Sequence, residues 1–360
     1  QQQILRLSRE AEVSSGLYAQ LMNRAQELRV LLAGPLGNVR LVDTAAASVE
    51  PVKPKPALTF LVALGLALIL ATGTAVLRKV RNASVEDPDS LEAQFGLPVY
   101  TAVPSSRNQR SVERRKRVTV GDPAVLAFSA PHDVAVEALR SLRTSLHVAR
   151  ANVKNKGLLV TSPSMGAGKS FVSANLAAVF AAAGKRVLLV DADMRTGTLH
   201  ENFGIPGGYG LSDLLSGTAP GPRQVIYDTV IQGLSVLPAG SVPPNPAELL
   251  LARRFERLAQ YLMEHFDEVI IDSPPVLGVT DAAVISHLVG TTVLVVRDGV
   301  TTLSEVDESV KRLEHAGANL RGVVFNGQRK SPRAYGYGYG AAPRYSPPAR
   351  TNPVNVDPAR

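Results

Sequence analysis

The sequence predicts an α/β domain with a mainly parallel sheet covered by helices on both faces, set behind one membrane-spanning helix. Three observations predict it. The apolar run Leu158 to Val160 feeds a turn ending in Gly166-Ala-Gly-Lys-Ser170, which opens a helix. Two further apolar runs, Val187 to Val190 and Val269 to Ile271, each deliver an acid, Asp191 and Asp272, to a strand end. Buried parallel strands read as continuous apolar runs of this kind, and ligands of open α/β sheets bind at their carboxyl ends. Residues 57–77 carry no charge, and about 20 apolar residues suffice to cross a bilayer core of about 30 Å.

Taken in order, Ile4, Leu7, Ala11, Ser14, Tyr18, Leu21, Ala25, Leu28 and Leu32 recur by three and four. That is a heptad seam, so a long helix packing on a partner is expected. The pattern stops at Gly34-Pro-Leu-Gly37, a short strand is expected over 38–43, and Pro51-Val-Lys-Pro-Lys-Pro56 makes a stiff entry to the membrane. The apolar helix 57–77 is bracketed by Lys53 and Lys55 before it and by Arg78, Lys79 and Arg81 after it. The basic excess continues to Arg117, which places the following residues in the cytoplasm and residues 1–56 outside it, at a bacterial inner membrane. Gln1 falls inside the heptad pattern, so the sequence reads as a piece of a longer protein.

Residues 78–125 read as a basic juxtamembrane linker. A polar joint at 82–90 precedes a short helix and the strand Pro98 to Val103, and a charged stretch at 105–120 contains Arg114-Arg-Lys-Arg117. Nine basic residues against six acidic ones in 78–125 supply +3 of the net charge of +8. Beside a membrane, such a run meets anionic headgroups or is a solvated face, and nucleic acid is not the expected partner. The domain proper spans 126–328. Its expected helices are a segment through Glu137 to Ala149, then 171–183, 211–215, 247–264, 281–288 and 305–315. Its expected strands are 158–161, 187–191, 234–237, 268–272, 292–296 and 320–325. With no cysteine, the chain offers no disulfide and no thiolate metal site, and its six histidines lack ligand spacing.

The turn at 162–170 suits a nucleotide triphosphate. Backbone N–H groups of Gly166, Ala167 and Gly168 can face the phosphates, Lys169 reaches the β- and γ-phosphates, and the Ser170 hydroxyl ligates Mg²⁺. Pro163 stands where the strict pattern has its first glycine. A phosphate loop followed by two acid-tipped strands is the layout of a Mg-nucleotide site.

Which branch of such proteins this is depends on neighbouring residues. MinD and ParA-like ATPases carry a signature lysine where this chain has Ser164. The Asp191-Ala-Asp193-Met-Arg195 segment, Glu137-x-x-Arg140-x-x-Arg143, Pro243-Pro-Asn-Pro-Ala-Glu-Leu-Leu250 and Val324-Phe-Asn-Gly327 instead resemble the bacterial tyrosine kinases of the exopolysaccharide and capsule co-polymerase type. Residues 1–56 are similar to the membrane-proximal end of their chain-length-determinant domain. The resemblance implies a MinD-like P-loop NTPase fold, ATP and Mg²⁺ as cofactors, and γ-phosphoryl transfer to tyrosine. It implies that Asp193 and Asp272 complete the Mg²⁺ environment and that Asp191 orients or deprotonates the phenol, with the roles of Asp191 and Asp193 open to exchange. Asn326 is expected either to contact the adenine or simply to end the strand, and Arg195 to salt-bridge the loop.

Tyr335, Tyr337, Tyr339 and Tyr345 alternate with glycine in the flexible tail 329–360 and are the expected phosphoacceptors. By resemblance, the Glu137, Arg140 and Arg143 face docks on a neighbouring subunit, near Asn245 to Leu250, to build a ring in which tails are phosphorylated between copies. A surface ion-pair ladder is the plainer reading of the same residues. Polysaccharide polymerisation and export machinery and a tyrosine phosphatase are the implied partners. The competing class is a non-phosphorylating ATPase switch that positions a membrane assembly.

Overall fold

The computed structural model describes residues 2–33, 55–81, 84–113, 118–153 and 155–329. The expected strand at 38–43, most of the proline-rich stretch, the basic run Arg114 to Arg117 and the four tail tyrosines lie outside them. The chain divides into two units, Gln1–Ala75 and Val76–Arg360.

In the first unit, α1 (Gln2–Ala33) leaves Tyr18, Leu21, Leu28 and Leu32 of the heptad row exposed. In α2 (Pro56–Arg81), the stretch Ala57–Ala75 is, among the described residues, the one helix long and apolar enough to cross a membrane. Its hydroxyls turn back onto the helix: Thr59 donates to the Lys55 carbonyl, Thr72 to Leu68 and Thr74 to Ala71. Internal satisfaction of polar groups is what a bilayer demands.

The second unit runs α3 (Pro88–Phe95), β1 (Val99–Pro104), α4 (Arg107–Glu113), α5 (Leu126–Ser129), α6 (Val134–Ala149), β2 (Gly157–Thr161), α7 (Lys169–Ala181) and β3 (Val187–Asp191). It continues with α8 (Leu199–Asn202), α9 (Leu211–Ser216), α10 (Pro222–Val225), β4 (Tyr227–Asp228), β5 (Leu234–Leu237), α11 (Pro246–Leu251) and α12 (Arg253–His265). The last elements are β6 (Glu268–Asp272), α13 (Asp281–Ser286), β7 (Thr291–Arg297), α14 (Leu303–His315) and β8 (Leu320–Gln328). The eight strands form one sheet in the order β1-β8-β7-β2-β6-β3-β5-β4, parallel except for β4 against β5.

Alternate strand residues feed opposite cores, as pleating requires. Leu158, Val160, Leu189, Val293 and Val324 pack beneath α6 and α7. Leu159, Leu188, Val190 and Ile271 face α9 and α12, while Leu294, Val296, Val323 and Phe325 face α3 and α14. Helix α7 lies wholly in this packing, with Val172 to Ala181 buried, which explains why its sequence is apolar all round.

Two expectations need correction. The charged stretch 105–120 contains the helix α4, started by the Ser106 hydroxyl, which accepts from Asn108 N–H at 3.0 Å, and anchored by buried Val112. The expected helix 247–264 is two helices, broken at Ala252, whose backbone is extended (φ −71°, ψ 141°). At about 100° per residue, a single helix would set Leu250 roughly 130° away from the row Phe255, Leu258, Ala259 and Leu262. The break lets both sets be buried.

Phe325 is fully buried between β1 and β7. Phe325→Ala should cost about 3–5 kcal/mol, read as a lowered midpoint in denaturant unfolding of the detergent-solubilised chain followed by circular dichroism.

Candidate active site

Strand β2 delivers the phosphate loop to the carboxyl edge of the sheet, between β7 and β6. Gly166 (φ +80°) and Gly168 (φ +90°) take left-handed conformations on either side of Ala167. That alternation turns successive N–H groups to one side, forming an anion-binding nest. At Gly168 a Cβ would also overlap the Asn326 amide. No side chain caps the first turn of α7, so its N–H groups are open to a phosphate. Pro163 is compatible with the loop because no positive φ is needed there, and its carbonyl accepts from Leu277 N–H at 3.2 Å.

Opposite the loop stand three acids. Asp191 and Asp272 are direct register partners on β3 and β6 and are both 1% exposed. The Asp272 carboxylate accepts from the Ser173 hydroxyl at 3.0 Å and lies 3.8 Å from Lys169 Nζ. Burial raises its pKa, opposed by Lys169 and the hydroxyls of Ser170 and Ser173. Asp191 accepts from Asp193 N–H at 3.2 Å and Leu199 N–H at 3.1 Å. Burial, reinforced by the neighbouring charge of Asp272, pushes it from 3.8 to about 7. Asp193 is held by Thr196, whose N–H and hydroxyl both donate at 3.0 Å, and lies 3.5 Å from Lys169 Nζ. Gly197 is required between the two acids: a Cβ there would come 2.8 Å from Asp191 Oδ2 and 2.6 Å from the Asp193 carbonyl.

Lys169 Nζ, at 3.3 Å from Ser170 Oγ, is thus the cation around which a hydroxyl and two carboxylates converge. An all-oxygen set of this kind suits Mg²⁺. Among the described residues no group of three or more acidic, histidine or cysteine side chains is arranged as a metal site by itself. The fit is therefore to a Mg²⁺ that takes its other ligands from phosphate and water, the usual way Mg²⁺ is bound. The open cleft has a volume of about 330 Å³ and is lined by Gly166, Lys169, Ser170 and all three acids.

Asn326 is buried, and its amide donates to the Ala167 carbonyl at 2.9 Å. Arg195 pairs with the fully buried Asp281 at 3.3 Å, which matches the plainer reading of this motif residue, a salt bridge holding the loop. Glu137, Arg140 and Arg143 lie away from the cleft, on α6. Glu137 and Arg140 form an ion pair at 2.7 Å, and Arg143 donates to the Val179 carbonyl of α7 at 3.1 Å. Sequence reasoning missed Ser173, Thr196, Gly197, Asp281 and Arg297, whose guanidinium donates to the Gly166 carbonyl at 2.7 Å. Only Thr196, three residues after an aspartate, had a local signal, that of a residue donating back to an Asp side chain.

Residues 1–80 match the G-rich domain GNVR, and residues 158–334 match the CobQ/CobB/MinD/ParA nucleotide binding domain. The BceF tyrosine kinase domain is 44% identical, with the match covering 68% of this chain and 100% of that one at a TM-score of 0.63. The kinase domain of Escherichia coli tyrosine kinase ETK is 42% identical over 71% of this chain and 100% of its own, at a TM-score of 0.65. The chain belongs to the bacterial tyrosine-protein kinases, with a MinD-like nucleotide-binding fold. A Klebsiella pneumoniae protein, named as a tyrosine-protein kinase in cps region, is 41% identical over 93% of this chain and 47% of its own length. The chain spans about half the length of the curated relatives it matches.

Because folding raises Asp191 from 3.8 to about 7, the native state keeps a proton that the unfolded chain releases. The associated stability is full below the unfolded value and is lost as pH rises through the folded one. Asp191→Asn removes that dependence. In nucleotide-free and Mg²⁺-free protein, the unfolding midpoint of the variant relative to the parent should climb as pH rises from about 4 to about 8; a constant difference would show that Asp191 ionises normally.

Proposed function

We propose that this chain is the cytoplasmic and membrane-proximal part of a protein-tyrosine autokinase. It transfers the γ-phosphoryl group of ATP to Tyr335, Tyr337, Tyr339 and Tyr345 of neighbouring copies. The observation that carries the reading is the convergence of Lys169, Ser170, Asp193 and Asp272 beside a loop whose N–H groups face one cleft. Phosphoryl transfer asks for little else: the phosphates must be held, the developing charge met, and an acceptor aligned.

Each residue then has a part. The N–H groups of Gly166, Ala167 and Gly168 cradle the phosphates, and Lys169 moves its charge from the acids to the β- and γ-phosphates. Ser170, Asp193 and Asp272 would hold Mg²⁺. Mg²⁺, when bound, supplies charge neutralisation on the phosphate oxygens. Asp191, which lines the cleft and is spared from the metal set, would accept the proton of a tyrosine hydroxyl placed over it. Its assignment in preference to Asp193 is supported by Asp193 lying 3.5 Å from Lys169, the residue that turns to the phosphates. Asn326, whose amide grips the Ala167 carbonyl, is assigned to the adenine by resemblance alone.

The rest of the assignment follows from the domain order. Residues 57–77 anchor the protein in the inner membrane with 78–360 in the cytoplasm, and residues 1–56 close an extracytoplasmic chain-length-determinant domain. The kinase domain is 126–328 together with α3 and β1 of the preceding segment 78–125, which pack into its core and sheet and so are not a free linker, and 329–360 form the substrate tail. Exposed Glu137 and Arg140 are offered to a neighbouring copy in a ring. The pathway served is polymerisation and export of an extracellular polysaccharide, opposed by a tyrosine phosphatase; the resemblance and the Klebsiella relative's name support this.

Lys169→Met keeps an apolar stem and removes the charge. With labelled ATP and Mg²⁺, phosphotyrosine should fall to background while circular dichroism is unchanged. Undiminished labelling would remove the kinase assignment.

A further inference from the structure

The nest of the phosphate loop depends on peptide orientation, and the loop itself supplies little to hold it. Gly166 has open space where a Cβ would stand, and Met165 beside it is 72% exposed. A trans peptide is planar, so the carbonyl of one residue and the N–H of the next point in opposite directions. Fixing the Gly166 carbonyl therefore fixes the Ala167 N–H, and fixing the Ala167 carbonyl fixes that of Gly168. Both carbonyls are gripped from outside the loop. Arg297 Nη1 donates to Gly166 O at 2.7 Å, and Asn326 Nδ2 donates to Ala167 O at 2.9 Å.

The two gripping residues are themselves coupled, because Arg297 and Asn326 are register partners at the ends of β7 and β8. Arg297 N–H donates to the hydroxyl of fully buried Thr301 at 3.0 Å, and Asp298 N–H donates to the Asn326 carbonyl at 3.0 Å. The turn after Arg297 is further tied to buried Val85, which accepts from Gly299 N–H at 2.9 Å and donates to the Thr301 carbonyl at 2.8 Å. Arg297 is itself exposed, but its firmly anchored backbone gives the guanidinium a defined reach.

We propose that Arg297 is a positioning residue of the phosphate loop: it holds the Gly166 carbonyl outward and so aims the Ala167 N–H at the bound phosphate chain. The inference deepens the nucleotide-site reading above and rests on it. It predicts that Arg297 acts on phosphate affinity and not on recognition of the base.

The test is displacement of a fluorescent ADP from the full detergent-solubilised chain by ATP and, separately, by inorganic tripolyphosphate, both with Mg²⁺. Arg297→Ala should weaken both competitors by a similar factor of about ten, the scale of one hydrogen bond from a charged donor. Arg297→Lys, which keeps a donor, should recover part of that loss, and the unfolding midpoint of both variants should stay at that of the parent. Unchanged tripolyphosphate affinity, or a loss confined to ATP, would overturn the proposal, the latter making Arg297 an adenine contact. A loss accompanied by a lowered midpoint, unrelieved by lysine, would overturn it in favour of a structural role. Because binding is read without phosphotransfer, a parent chain that binds tripolyphosphate yet makes no phosphotyrosine would defeat the kinase reading while leaving this one testable.

Discussion

Three buried carboxylates in one cleft, only two of them paired with its one ammonium, are the constraint on which the rest of the structure depends. Ionised acids side by side in a low-dielectric site repel one another and lose hydration, and both effects resist their charging. Lys169, 3.5 Å from Asp193 and 3.8 Å from Asp272, opposes but does not cancel the burial that raises Asp272. Asp191, whose contacts are two backbone N–H groups, is left with its affinity for a proton raised. The site is thus short of positive charge, and the binding of a phosphate chain that draws Lys169 away increases the demand for a cation. A nucleotide and a divalent ion bound together meet both needs.

Sheet order separates the tasks. β6 and β3, on one side of β2, carry the acids, while β7 and β8, on the other, carry the two residues that grip the loop. Buried α7 joins the sides, for Ser173 on its first turns bonds Asp272 while Lys169 and Ser170 begin it. Since β1 pairs with β8, the segment that follows the apolar helix is built into the same sheet edge that steadies the phosphate loop.

Much of this was legible in the sequence because burial on both faces makes parallel strands into unbroken apolar runs. Val187 to Asp191 and Glu268 to Asp272 announced themselves and their acids together. The phosphate loop was legible despite Pro163, since the glycines that need positive φ are the later two. What stayed hidden depends on contacts between residues far apart in the chain. Nothing local marks Arg297 as the partner of a carbonyl 131 positions away, or Gly197 as wedged against Ala239. The break at Ala252 was invisible for a related reason: Leu250 and Phe255 enter the same core from two separate helices, and the sequence shows only that both are apolar. In α4, one serine cap and one buried valine suffice to order a stretch whose charges suggested a linker.

The central claim, that this cleft phosphorylates tyrosines on another copy's tail, is tested most directly by mixing two inactive halves of the reaction. A Lys169→Met chain with its tail intact supplies acceptors, and an active chain truncated after Arg329 supplies the cleft. With γ-labelled ATP and Mg²⁺, label should appear as phosphotyrosine on the Lys169→Met chain, at positions among Tyr335, Tyr337, Tyr339 and Tyr345. ATP hydrolysis by the truncated chain with no label on its partner would contradict the account and leave a nucleotide switch in its place.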